Sequence, residues 1–493
     1  MGTLVRHPAL AIIGLALLLT VPAFVGPPMT HDSFWIDWVW ADQFAAELGR
    51  GNFYPRWLPQ SHGGLGSPVF YFYPPLGFHA AGLFAVAGLS TYAAIVMAFG
   101  AALAASGFAM FAWLKDQVRH PLVGTLAFMA APYHVLDFYG RGALAEYFGI
   151  AFLPLVALGL KRAQQGRPAL LVIAYAGLIL SHLPLALLTS LFLILPWAVM
   201  QGIKSAARTG ALLAVGIAIA AIYLVPALAL DSYRDSVSLW NQSGFNPETW
   251  SLWNWSAPGP LPDARVIAAG VLVSLVPAAI LLMLTSERRW GAYAGACLAL
   301  GAGLVPFLWS LPLLSSVQFP FRILPLAEFA IATGLASLDW RQLRFWLVIT
   351  PALSVSVVSI AKHPPQHAAI AVLARSHPDV PENLPPGERP YSWPSEWALK
   401  VARDHPRPVE RDGITLDRLF YFPAWEVRCQ GRAVPTRPDP ATKLLTYRGS
   451  GCERRLRMTT AEKAGAAISL VGLLLLIGLA AAGRRRERRR ERG

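Results

Sequence analysis

The densest chemistry in the sequence lies between Pro27 and His79. It opens with His31-Asp32-Ser-Phe-Trp-Ile-Asp37, continues through Gly51-Asn-Phe-Tyr-Pro-Arg56-Trp57, and reaches Phe70-Tyr-Phe-Tyr-Pro-Pro-Leu76. Carboxylates, a histidine, an arginine and aromatic rings share one connector. Loops on a rigid scaffold are where catalytic and binding groups collect. Asp32 is the leading candidate for a general base, because a carboxylate at the lip of a membrane is partly desolvated and so more basic. The same residue also fits a plain N-cap of an amphipathic helix running to Leu48. His31 would orient Asp32, contact a phosphate, or simply sit at the interface. Asp37 falls about 140° around a helix from Asp32, which puts it elsewhere, as a substrate contact. Arg56 would bind an acceptor or stack on Trp57.

Further candidates lie downstream. Arg141 precedes a helix that starts at Gly142 or Ala143. A helix N-terminus attracts anions, and a guanidinium beside it suits a phosphate. The plainer alternative is an arginine snorkelling to lipid headgroups. Glu146 sits about one turn inside an apolar span, where an ionisable group needs a partner or a cavity; Arg141 is its nearest partner. His182, before Leu-Pro184, reads as a ligand or a turn residue. Gln318-Phe-Pro-Phe-Arg322 supplies a second arginine for the phosphate. Glu328 lies deeper and needs a partner that the sequence does not name. Gly63, Gly64 and Gly66 follow no strand of a βαβ unit, so they are not a nucleotide loop. The sequence shows no Walker motif, nucleophile elbow or Cys/His metal spacing. No cofactor is called for, and metal use is left open, a divalent ion being compatible.

The elements that must position these groups are membrane helices. The chain has 493 residues, 55% hydrophobic and 14% charged. Apolar runs of about 17–22 residues, each long enough to cross a bilayer, recur along it. The pattern predicts an all-α polytopic membrane protein with about twelve transmembrane helices. Spans are expected at 8–25, 91–113, 120–138, 143–160, 168–183, 185–200, 209–230, 265–285, 290–311, 321–338, 345–361 and 463–482. The first run reads as a retained span rather than a cleaved signal peptide. The stretch 70–89 reads as a helix lying on the outer surface or re-entering; a thirteenth crossing is the alternative. The net charge of +14 would suggest nucleic acid in a soluble protein. Here seven arginines crowd the tail from Arg484 to Arg492, and a basic tail marks a cytoplasmic anchor. Short basic connectors after alternate spans place both termini in the cytoplasm. The candidate residues then fall on the opposite, outer face.

Three regions follow: a transmembrane domain over 1–361 with an outer loop at 26–90, an extracytoplasmic β-rich domain over 362–462, and a last span with basic tail over 463–493. Cys429 and Cys452 flank an expected strand pair in an oxidising compartment, which predicts a disulfide.

His31-Asp32, Tyr54-Pro55-Arg56-Trp57 and Phe72-Tyr-Pro-Pro-Leu76 together resemble the first outer loop of GT-C-type membrane glycosyltransferases. Arg141-Gly-Ala-Leu-Ala-Glu146, Ser181-His-Leu-Pro184, Gln318-Phe-Pro-Phe-Arg322 and Tyr421-Phe-Pro-Ala-Trp425 extend the likeness over most of the chain. The nearest flavour is the bacterial group labelled 6-pyruvoyl-tetrahydropterin synthase-related membrane proteins. The resemblance implies a hexosyl- or pentosyltransferase of the bacterial inner membrane. Its donor would be a polyprenyl-phosphate sugar, and its acceptor a lipid, glycan or protein. The paired acidic motif of several relatives is missing from the loop, which leaves the metal open. Two rival readings are a transporter or flippase, and a non-catalytic scaffold with a glycan- or partner-binding outer domain.

Overall fold

The computed structural model describes residues 7–25, 33–235, 246–254, 262–339, 377–387, 392 and 395–492. Helix α1 spans Pro8–Val25. After the loop region come α2 (Phe34–Gly49) and α3 (Leu76–Val86), then α4 (Thr91–Leu114). The expected single span at 120–138 is broken. It forms α5 (Pro121–Met129), a short α6 (Pro132–Leu136) and a π-helical turn over Asp137–Arg141. Pro132 lacks an N–H and cannot continue α5, so the chain restarts there. Helices α7 (Leu144–Gln164), α8 (Ala169–Ser181) and α9 (Leu183–Met200) follow. The expected span at 209–230 is also broken, into α10 (Ile203–Ile219) and α11 (Ala221–Ala229), which meet at 75°. Then come α12 (Pro262–Met283), α13 (Arg288–Gly301) and α14 (Leu324–Leu335).

Five described helices are long and apolar enough to cross a membrane, or six if the bent pair counts as one span. This makes a multi-pass membrane protein, but it does not give the count of twelve. Breaks and shortened helices account for the difference, and the expected span at 345–361 lies outside the described residues. Within the stretch 70–89, α3 has 11 residues and rises about 16 Å, roughly half a ~30 Å hydrocarbon core, so it is too short to cross by itself.

The buried bend between α10 and α11 shows how backbone is satisfied inside such a bundle. Ser469 Oγ accepts from Ile222 N–H (2.8 Å) and donates to the Ile219 carbonyl (2.8 Å). Arg56 Nη2 donates to the Ile222 carbonyl (2.8 Å). In lipid every such group needs an internal partner.

The region expected outside the membrane, called the outer region below, carries α15 (Glu396–Asp404) and seven strands: β1 (Val409–Arg411), β2 (Ile414–Phe420), β3 (Trp425–Cys429), β4 (Arg432–Val434), β5 (Thr436–Pro438), β6 (Leu444–Arg448) and β7 (Glu453–Leu456). They build two antiparallel sheets, ordered β1-β2-β6-β5 and β4-β3-β7. Cys429 and Cys452 are joined by a disulfide. Helix α16 (Thr460–Arg492) returns to the membrane and carries the basic tail. The outer region's apolar core includes Trp57, Leu65, Tyr71 and Phe72 from the loop beside Phe420 and Leu444 from the strands and Phe422 from the turn between β2 and β3. Loop and outer domain therefore share one core.

Candidate active site

The loop opens with α2, which lies against α3 and buries Phe34, Trp38, Trp40 and Phe44. Trp40, Phe44, Phe70 and Phe78 pack edge-on, with ring centroids 4.7–6.2 Å apart among the closest pairs. This cluster holds the loop against the membrane helices. Ser33 N–H donates to the Arg141 carbonyl (3.0 Å). Asp37 is buried and accepts from Leu144 N–H through Oδ2 (2.9 Å). The first turn of α7 is thus capped by a carboxylate from another helix. At this helix start, where the sequence suggested an anion site, the protein's own Asp37 supplies a carboxylate.

Around this start the chain makes the π-helical turn and then Gly142, at φ +61°. Phe34 packs so close that a Cβ on Gly142 would lie 2.5 Å from the Phe34 Cβ. Only glycine combines that backbone with that approach. π-Turns inside helices recur at functional sites, and this one presents two of the charged groups that follow.

Arg141, Glu146 and Arg322 are all buried and meet in one network. Arg141 Nη1 donates to Glu146 Oε2 (2.7 Å), Asp137 Oδ1 (2.8 Å) and the Tyr133 hydroxyl oxygen (3.0 Å). Tyr133 donates its own proton to Glu146 Oε1 (2.6 Å). Arg322 Nε donates to Glu146 Oε2 (3.2 Å), and its Nη1 donates to the Val317 carbonyl (2.7 Å) and Gln318 Oε1 (2.8 Å). His182 Nε2 lies 3.9 Å from Glu146 Oε2. His182 also caps α9, its Nδ1 accepting from Leu185 N–H (3.3 Å). That bond puts the ring proton of a neutral imidazole on Nε2, facing Glu146. His182 thus sits at the turn, with its Nε2 toward the network.

Gln318 has φ +69° and ψ −53°, and Phe319 N–H donates to the Val317 carbonyl (2.8 Å) across it. This is a γ-turn of the strained kind. It costs on the order of 1–3 kcal/mol and is held by the Arg322 bonds to Val317 and Gln318. Phe319 and Phe321 stack in parallel, 5.1 Å apart, against Trp250. The Arg322 guanidinium lies 4.8 Å over Phe319, and that of Arg141 lies 5.4 Å over Phe321. Arg322 Nη2 has no hydrogen-bond acceptor among the described residues.

Among the described residues two arginines face Asp137 and Glu146, two charges of each sign. Tyr73, from the loop, lies in the electrostatic neighbourhood of Asp37, Arg322 and Glu146. Glu328 finds the partner that the sequence could not name. It accepts from Tyr133 N–H (2.6 Å) at the start of α6, and its other oxygen lies 3.5 Å from His134 Nδ1.

Arg56 is elsewhere. Its Nε pairs with Glu462 (3.0 Å) and its guanidinium lies 3.8 Å over Tyr54, rather than over Trp57. It clamps the loop to α16 and to the α10–α11 bend. His31 and Asp32 lie outside the described residues. Among the described residues no group of three His, Cys, Asp or Glu side chains is arranged to hold a metal. Tyr133 and Asp137 were not singled out in the sequence; Pro132 and the glycines at 140 and 142 are the signals that could have marked their segment as broken.

No protein-family model matches the chain, and no curated protein does either. Among solved structures it is similar to the cryo-EM structure of the arabinofuranosyltransferase AftD from Mycobacteria. The identity is 17% and the TM-score 0.49, over 73% of this chain and 27% of that one. A mutant form of the same protein matches at 19% identity and a TM-score of 0.47, over 72% and 27%. The chain thus spans about a quarter of the length of those structures.

Proposed function

We propose that this chain is an integral membrane glycosyltransferase working at the outer face of a bacterial inner membrane. It would move a sugar from a polyprenyl-phosphate carrier to a hydroxyl of a lipid, glycan or protein acceptor. The observation that carries this reading is the convergence of Arg141, Glu146, His182, Gln318 and Arg322. They come from separate segments of the chain and meet in one buried network under the loop.

The reaction breaks the bond between the anomeric carbon and the phosphate oxygen and forms a new bond to the acceptor oxygen. The acceptor's proton goes to a base, and polyprenyl phosphate leaves. Two duties follow for the protein: stabilising a leaving phosphate and accepting a proton. Arg322 suits the first, since Nη2 remains available while Nε and Nη1 fix the guanidinium plane. Electrostatic groups fixed in advance act without reorganising. Arg141 is more heavily engaged, so its part is to hold Glu146 in place. Asp32 is the proposed base; its neighbour Ser33 is bonded to the Arg141 carbonyl. His31 would orient it.

The test is transfer of radiolabelled sugar from polyprenyl phosphate by the purified, detergent-solubilised chain. Lipid and surface-glycan mass spectrometry with and without the gene identifies the product. A product lost with the gene and made again by the purified chain is expected. A purified chain that transfers nothing, from a strain whose lipids and glycans are unchanged by deletion, would end this reading.

A further inference from the structure

The positive charge at the outer end of α16 has no role in the network above. Basic residues collect on the cytoplasmic flank of spans, and the arginine tail obeys that rule. The other end does not. Arg454, Arg455, Arg457 and Lys463 stand around the first turn of α16, against Glu453 and Glu462. Two of these charges are spent internally. Arg454 pairs with the buried Asp417, and Glu462 with Arg56.

The remainder lies on one face. In the β3–β7 register Glu426 stands opposite Arg455 and Arg428 opposite Glu453. Alternate residues of a strand share a face, so Arg428, Arg455 and Arg457 share theirs with Glu426 and Glu453. Glu426 alone is gripped by three guanidinia: Arg428 Nε (2.5 Å), Arg455 Nη2 (3.2 Å) and Arg457 Nη1 (2.6 Å). One carboxylate cannot neutralise three arginines. Glu453 sits at the end of β7 away from the membrane helix, so the excess positive charge lies at the end near it. Arg455 and Arg457 are 53% and 51% exposed and keep N–H groups that no described residue accepts. Lys463 is exposed beside them, as are Leu456 and Met458.

The junction is short and rigid. Only residues 457–459 separate β7 from α16, about 10 Å of extended chain. Thr459 and Glu462 form a reciprocal cap: Thr459 N–H donates to Glu462 Oε2 (2.8 Å), and Glu462 N–H donates to Thr459 Oγ1 (3.2 Å). The cap fixes the strand end to the first turn of the apolar helix.

We propose that the β7–α16 junction binds the phosphodiester headgroup of an anionic phospholipid in the leaflet beneath the outer domain. Arg455 and Arg457 grip the phosphate oxygens, for which the guanidinium fork is suited. Lys463 neutralises the same headgroup, and Met458 enters the apolar boundary below it. The site depends on the orientation that places the arginine tail in the cytoplasm, and on neither sugar donor nor acceptor. It holds the outer domain, and the loop that shares its core, at one height above the membrane.

The test places the full chain in nanodiscs of phosphatidylcholine alone, or of equal parts phosphatidylcholine and phosphatidylglycerol. Hydrogen exchange is read in peptides covering 450–463, which separates this site from the arginine tail. Phosphatidylglycerol should slow exchange there by at least about fivefold, the worth of one basic contact at an anionic surface. The R455Q/R457Q/K463Q variant should lose that protection, checked for folding by its intact disulfide and wild-type melting. The R455K/R457K variant, which keeps the charge, should retain part of it and serves if the first does not fold. Equal exchange in both nanodiscs, or protection that survives in R455Q/R457Q/K463Q, would overturn the proposal. So would protection reproduced in phosphatidylcholine by inorganic phosphate or by a soluble acidic polysaccharide, since the ligand would then not be a lipid.

Discussion

Single residues do two jobs at this site. Asp37 satisfies the N–H that opens α7, and Glu328 does the same for α6. The broken segment between them carries Tyr133, Asp137 and Arg141, and Glu146 follows in the first turn of α7. Two carboxylates from other elements therefore hold the segment that holds the network. Asp37→Ala leaves a buried N–H without its acceptor, a loss of about 1–3 kcal/mol, whereas Asp37→Asn keeps an oxygen there. Gly142→Ala forces a Cβ against Phe34 in a left-handed backbone. Thermal melts should place Asp37→Asn near wild type and both other variants well below it. A Gly142→Ala protein as stable as wild type would mean that the close approach to Phe34 does not constrain the turn. Glu146, His182 and Arg322 were legible in the sequence because a charge within an apolar span calls for a reason. Tyr133 was not legible: it looks like an ordinary residue of a span, and what makes it part of the site is a break that hydropathy does not register. Asp137 carried the same signal as Glu146, a charge within the expected span 120–138, and the sequence reading missed it. The Glu328–Tyr133 bond joins residues 195 apart, a pairing that one sequence cannot disclose.

At the scale of elements, the segment 377–387 ties the outer region to the loop. The His377 carbonyl accepts from His62 N–H (3.2 Å), and Asp379 accepts from the Trp40 indole N–H (2.9 Å). His377 also lies 3.7 Å from Asp42, and its bond to Asp42 is the main cause holding that carboxyl below its usual range. On the same segment, burial pushes the Glu382 carboxyl up to about 7, with Asp379 and Asp235 adding to the effect against Arg234. A carboxyl raised in the folded state favours folding at low pH. Its contribution is fully present below its unfolded value near 4.5 and is lost as pH rises through about 7. The wild-type protein should therefore lose stability between pH 5 and pH 8 relative to Glu382→Gln, which cannot ionise. Melting curves of the two proteins across that range check this. Parallel curves would show that Glu382 ionises normally. The β-rich character of the outer region was legible in runs near 419–427, 443–447 and 454–458, but the first of these spans the break between β2 and β3, and β1, β4 and β5 were not foreseen. The strap was not legible, because its Pro-rich sequence carries no period.

For the whole molecule, topology decides which face the network serves. The basic connectors and tail argue for a cytoplasmic C-terminus, and α3 by itself is too short to cross. Cysteines introduced near Gly63 and at Ser90 should both react with an impermeant thiol reagent from outside the cell. A Ser90 site reached only from the cytoplasm would mean that the chain crosses between them, and would move the network to the other face. The helical class of the molecule could be read from composition alone. The number of spans could not, because broken and bent helices spread one crossing over two short elements.

The central claim is that the buried network serves glycosyl transfer from a phosphate carrier, with Asp32 as the base. The most direct measurement is the steady-state rate of sugar transfer from polyprenyl phosphate by purified Asp32→Asn and Arg322→Ala, matched for folded protein. The account predicts a split. Asp32→Asn should lose about 10²-fold or more in kcat with little change in donor KM. Arg322→Ala should raise the donor KM by about tenfold or more, the loss of a charge-assisted phosphate contact. Wild-type transfer in both variants would contradict the account, because the residues assigned the proton and the phosphate would then have no part in the reaction.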